Sequence, residues 1–146
     1  MQDRIEREIT VRASQERVFN AIADPKQIVA WFPDAVEGEF KEGQQPIFEF
    51  EGYGRYSVHV VKVQPYDYFA YRWVQTENPE GFVGDVLTQP NTLVEFHLLE
   101  TGGTTLVKVT ESGFAGLPPE VGKKKFQDNS SGWDYFVNRL LEYVEK

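Results

Sequence analysis

The chain contains no cysteine, a single methionine and only two histidines. The lack of cysteine removes disulfides, thiolate metal sites, thiol nucleophiles and CxxC redox chemistry together. His59 and His97 stand far apart, and no HxH, HExxH or tight Asp/Glu cluster accompanies them, so no metal site is expected. GxSxG, Walker and dinucleotide fingerprints are also missing; Gly52-Tyr53-Gly54 reads as a turn, and no cofactor is expected. Basic residues are outnumbered, 15 Lys and Arg against 23 Asp and Glu, for a net charge of −8. That balance argues against general binding to nucleic acid or anionic membranes, which attract basic surfaces. No apolar run approaches the roughly 20 residues of a membrane span. Residues 1–12 are charged and have no signal-peptide-like apolar centre, so the expectation is a soluble, cytoplasmic chain.

What is present is aromatic. Eleven Phe, seven Tyr and three Trp make up 14% of the 146 residues. A chain of this length forms one domain, spanning residues 1–146, and buries a substantial core without staples. Aromatic side chains fill β-rich cores through cross-strand pairs, and they also line ligand pockets.

Ile5, Arg7, Ile9 and Val11 alternate with polar residues, a strand with one imperfect apolar face. Ser14 offers an N-cap, Glu16 suits the first turn, and Val18, Phe19 and Ile22 follow at helical spacing. Asp24-Pro25 stops that helix and starts a second one, with Asp24 as cap and Gln27 completing a capping-box pattern. Ile28, Val29 and Trp31 supply its apolar side, and Pro33 ends it.

Strands are predicted over residues 36–40, 44–51, 55–63, 68–74, 92–100 and 104–112, with turns at Gly52-Tyr53-Gly54, Pro65-Tyr66-Asp67 and Gly102-Gly103. Residues 76–91 form a long loop with apolar residues between its glycines and prolines; a flap over a cavity and a short extra hairpin or helix both fit. Residues 113–122, with Pro118-Pro119, end the sheet. A long amphipathic helix is predicted over 123–145, with Trp133, Val137 and Leu140 on its buried side and Asn129, Ser130 and Gly132 interrupting the stripe near its start. A twisted antiparallel sheet must bury this helix against its concave face, and a gap between them can become a pocket.

Four segments in this order carry a resemblance. They are Ala13-Ser14-Gln15-Glu16-Arg17-Val18-Phe19 with Ala23-Asp24-Pro25 and Trp31; Val63-Gln64-Pro65 leading to Tyr71-Arg72-Trp73; Glu111-Ser112-Gly113-Phe114; and Gly132-Trp133 through Leu140. Together they resemble the Hsp90-ATPase-activator-like branch of the START/Bet v 1-like (SRPBCC) superfamily. The resemblance implies an α+β helix-grip fold, in which a curved antiparallel sheet wraps a long C-terminal helix beside two short helices. It further implies an internal hydrophobic cavity that takes small apolar or amphipathic ligands, in a stress-response setting. The eukaryotic Hsp90 activators of this family carry a further N-terminal domain not found in this sequence, so a chaperone partner is the lesser expectation.

Glu111 shares a strand face with Val107 and Val109 and is expected to face the cavity, or else to reach solvent or pair with Arg72 or Arg55. Phe69, Tyr71 and Trp73 form an aromatic stripe, and Trp31, Phe48, Phe50, Tyr56, Phe96 and Phe114 are further candidates for a lining, with core packing the plain alternative for each. A buried Tyr71 hydroxyl would need a partner. Asn129 and Trp133 sit one turn apart on the long helix, close to Ser130. His97 is expected outside. Glu37, Glu39, Glu49 and Glu51 read as a solvated edge, and Lys123-Lys124-Lys125 as surface or as a contact for an anionic head group.

The function expected is binding of a small hydrophobic or amphipathic molecule, lipid-like or aromatic, with Glu111, Tyr71 and Asn129 orienting one polar group. Two alternatives remain: an Hsp90-activator-like interaction module, and an enzyme of cyclase, hydrolase or isomerase type with Glu111 as its acid or base.

Overall fold

The computed structural model describes residues 3–75 and 84–146. β1 (Arg4–Val11) leads into α1 (Gln15–Ala23) and α2 (Pro25–Ile28). The six strands that follow are β2 (Ala35–Glu37), β3 (Ile47–Phe50), β4 (Gly54–Gln64), β5 (Tyr68–Val74), β6 (Asn91–Thr101) and β7 (Thr104–Ser112), and α3 (Pro119–Val144) ends the chain. The strands form one sheet in the order β1-β7-β6-β5-β4-β3-β2, every pair antiparallel. This is the helix-grip architecture expected from the sequence.

Period-two burial explains the sheet. Val94, Phe96 and Leu98 of β6 are buried, while His97 between them is exposed. On β1 the apolar face is broken by Arg7, which is turned toward α3. Its guanidinium donates to Asp134 Oδ1 at 2.6 Å and to Ser130 Oγ at 2.8 Å. The imperfection in the strand pattern is therefore a polar tie between sheet and helix. On β4 a bulge between Val60 and Lys62 leaves Val61 exposed.

Ser14 caps α1 by accepting from the Arg17 N–H, and Asp24 caps α2 by accepting from the Lys26 N–H, with Pro25 opening the helix. Gln27 does not close a capping box. Its carbonyl oxygen instead accepts from Arg17 Nη1 and from the Tyr143 hydroxyl, which ties α2 to α3. α2 stops at Ile28, and Trp31 lies beyond it, fully buried, its indole N–H donating to the Ala21 carbonyl at 2.8 Å.

α3 begins at Pro119, earlier than the predicted 123, because proline suits the first helical turn as well as it ends a strand. Asn129, Ser130 and Gly132 are therefore mid-helix rather than near its start. Trp133, Val137, Leu140 and Val144 form its buried stripe. The predicted strands 36–40 and 44–51 are observed as β2, which pairs only through residues 35–37, and β3, before which Gln44 and Pro46 still accept from the Val60 and Val58 N–H groups of β4. The predicted flap falls partly outside the described residues; of its remainder, Val86–Thr88 form one 3-10 turn capped by Asp85. Among the described residues no helix is long and apolar enough to cross a membrane.

Candidate functional site

A cleft of about 1140 Å³ lies between the β3–β4 hairpin and the middle of α3. It is large for a small-molecule site, which commonly measures about 300–1,000 Å³. Eight aromatic side chains line it: the exposed Tyr53 and Tyr135, and a wall of Phe32, Phe50, Tyr56, Trp73, Trp133 and Phe136. Each comes from a position fixed by a neighbouring element. Phe32 follows α2, and its ring centroid lies 5.2 Å from that of Trp133, 5.3 Å from that of Phe50 and 4.8 Å from that of Phe136. Tyr56 on β4 lies 5.9 Å from Trp73 on β5. These separations are those of favourable edge-to-face and tilted ring pairs.

Charge sits around this wall. Lys124, Lys125, Asp128 and Arg139 of α3 line the cleft on one side and Asp34 and Glu51 on the other. Asp34 is built into the hairpin, its Oδ2 accepting from the Glu51 N–H at 2.6 Å. The lysine run noted in the sequence thus lies in the early turns of α3, with two of its members on the cleft.

Behind the wall lies Glu111, with no exposed surface. Its Oε2 accepts from the Trp73 indole N–H at 2.8 Å and the Thr92 hydroxyl at 2.6 Å. Its Oε1 accepts from the Trp133 indole N–H at 2.9 Å. The Asn129 amide nitrogen lies 3.1 Å from both oxygens and 3.1 Å from Gln75 Oε1. Burial pushes the Glu111 carboxyl above its ordinary value, and the hydrogen bonds from Thr92, Trp133, Trp73 and Asn129 act against that rise. Neither arginine considered as a partner reaches it: Arg72 donates to Asn91, and Arg55 pairs with Glu37 and Glu49.

The structure thus divides the candidates read from the sequence. Phe50, Tyr56, Trp73, Asn129 and Trp133 line the cleft, and Glu111 stands directly behind them. Trp31, Phe48, Phe69, Tyr71, Phe96 and Phe114 are fully buried and do not line the cleft; they pack ring against ring, and Trp31, Phe48, Tyr71 and Phe96 back the lining rings. The Tyr71 hydroxyl is buried with no hydrogen-bond partner among the described residues. Burial raises its pKa well above the ordinary tyrosine value, and the nearby Glu111 charge adds to this.

Phe32, Phe136, Gln75 and Thr92 were not singled out for the site. Phe136 falls within the apolar stripe of the long helix, where spacing does not separate core from cleft. Phe32 sits beside Trp31, and Thr92 sits opposite Trp73 on β6, but adjacency in sequence does not show which side of a residue opens to solvent.

The same architecture recurs among solved structures. DynU16, a protein of the dynemicin biosynthetic locus, is 24% identical, with a TM-score of 0.79; the match covers 100% of this chain but only 48% of DynU16. The Aha1 dimer from Colwellia psychrerythraea is 19% identical over 99% of this chain and 97% of that one, with a TM-score of 0.78. CalU16 from Micromonospora echinospora is 21% identical over 97% of this chain and 75% of that one, with a TM-score of 0.71. No curated protein matches the sequence. These likenesses carry the fold, and the sequence itself carries the family: residues 12–145 match the model for activator of Hsp90 ATPase homolog 1-like proteins, and the chain belongs to that family.

Proposed function

We propose that this protein binds a small hydrophobic or amphipathic molecule, lipid-like or aromatic, in the cleft between the β3–β4 hairpin and α3, and that it does so in the cytoplasm. One observation carries this reading: eight aromatic side chains converge on one large cleft that also has polar and charged groups along it. Contiguous apolar surface of this kind marks a binding site more often than it is left bare. Asn129 offers a polar contact beside the rings, and Lys125 or Arg139 suits an acidic group on the ligand. Burying about 300 Å² of apolar ligand surface at about 25 cal/mol per Å² contributes about 7.5 kcal/mol, the scale of a micromolar dissociation constant. The membership of a fold neighbour, DynU16, in a biosynthetic locus supports a small-molecule ligand.

The test is to purify the protein without refolding and compare its native and denaturing mass spectra. An added mass that disappears on denaturation is expected, and its value gives the ligand class. If the mass is clean, titration with N-phenyl-1-naphthylamine follows, with tryptophan quenching as the readout. A clean mass together with no saturable quenching would remove the proposal.

Family membership favours one second reading, a protein contact with the Hsp90 chaperone. Stimulation of Hsp90 ATPase activity by the purified chain would support it. No stimulation and no measurable complex would count against it.

A further inference from the structure

We infer that Glu111 is the positioning residue of the cleft wall: it sets the planes of Trp73 and Trp133 and the amide of Asn129, and does not itself touch the ligand. This rests on the cleft being a ligand site. The three residues that line the cleft and donate to Glu111 come from β5 and from two successive turns of α3. Two of the three indoles in the protein end on this one carboxylate. An indole has a single polar atom, its N–H, which can only donate. Fixing that atom fixes the rotation of the ring, and hence which part of its face the cleft presents.

The carboxylate has no capacity left over. Each carboxylate oxygen offers about two lone pairs. Trp133 donates to Oε1, Trp73 and Thr92 donate to Oε2, and Asn129, with its other N–H toward Gln75, has one hydrogen to share between the two oxygens, so four donors meet about four lone pairs. A ligand group could bond to Glu111 only by displacing one of these donors from the wall. All four donors are neutral, so the site keeps a buried acid without using a cation to hold it. An apolar residue would pack in the same space, but it would leave two indole N–H groups unsatisfied. Buried donors without acceptors are costly, and the rings would turn to find others. What the acid supplies that a hydrophobe does not is orientation.

The test uses the wild type, Glu111→Gln, Trp133→Phe and the double variant. Each is titrated with N-phenyl-1-naphthylamine and with naphthalene, which has no hydrogen-bonding group, and the near-ultraviolet circular dichroism of the ligand-free proteins is recorded. In Glu111→Gln the far-ultraviolet spectrum is expected to hold while the tryptophan bands change. Both probes are expected to weaken alike, by about tenfold, the scale of one buried hydrogen bond to a charged group. The double variant should bind no worse than the weaker single variant, because Glu111 acts through the ring. Unchanged tryptophan bands would overturn the inference. So would a loss confined to the amine-bearing probe, which would make Glu111 a direct ligand contact. If Glu111→Gln does not fold, Trp133→Phe alone decides: it keeps a ring in the wall but frees an Oε1 position, and unchanged affinity for both probes would overturn the inference. If the wild type binds neither probe and carries no co-purified mass, the cleft reading fails, and the tryptophan bands still show whether Glu111 holds the indoles.

Discussion

Tyr71, Val94 and Glu111 occupy one row across three adjacent strands, β5, β6 and β7. Tyr71 and Glu111 flank the valine, both fully buried, one with a hydroxyl that has no partner among the described residues and the other with a crowded carboxylate. The Glu111 carboxyl lies above the ordinary 4.5 because burial outweighs its hydrogen bonds. The folded chain therefore holds this proton more tightly than the unfolded chain does. The sign follows from linkage: Glu111 favours folding most below the unfolded value, and that contribution is lost as pH rises through the raised folded value. Urea midpoints measured from about pH 4 upward should show the wild type losing stability relative to Glu111→Gln. A wild type that gains on the variant over that range would mean that the hydrogen bonds outweigh desolvation. A residue that stabilises the fold less in its charged form is better explained by what it orients than by what it holds together.

At the scale of elements, α3 carries two duties on two faces. Val137, Leu140 and Val144 seal the core, Lys124, Lys125, Asn129, Gly132 and Phe136 line the cleft, and Trp133 stands between, buried but part of the cleft wall. Gly132 sits within this helix, and a Cβ built there meets nothing within 4 Å. Neither a tight approach nor an unusual backbone angle calls for glycine at this point. Gly132→Ala should therefore stabilise the fold by about 0.5–1 kcal/mol through helix propensity, read as a higher urea midpoint with an unchanged slope. A loss of stability would show that the helix needs to bend there. β1 depends on α3 in turn: the bonds from Arg7 to Ser130 and Asp134 hold the edge strand to the same helix that walls the cleft.

For the whole molecule, the relevant link is between ligand and fold. The cleft is lined from the segment after α2, from β3 to β5 with the intervening hairpin turn, and from α3, so occupancy joins parts that are distant in sequence. A ligand at a hundredfold excess over its dissociation constant should stabilise the protein by about 2.7 kcal/mol, or about 5–10 °C in melting temperature for a chain of this size. Thermal unfolding followed by circular dichroism, with and without the co-purified or probe ligand, checks this; a shift that does not grow with ligand concentration would mean that the compound is not bound to the native state. Local signals in the sequence were enough for the elements and their order. Alternation marked the strands, Ser14 and Asp24 marked helix starts, and the paired glycines marked the hairpins, because each depends on a few neighbouring residues. They put Glu111 on one strand face with Val107 and Val109 but left open whether it faced the cavity, solvent or an arginine; the structure buries it. What only the tertiary structure decided is which inward residues meet the cleft and which meet one another. Phe69, Tyr71 and Trp73 share one strand face, yet only Trp73 lines the cleft, because that depends on where α3 and the β3–β4 hairpin diverge from the sheet. Period-two patterning separates inside from outside; it carries no information about where along a strand a distant helix stops covering it.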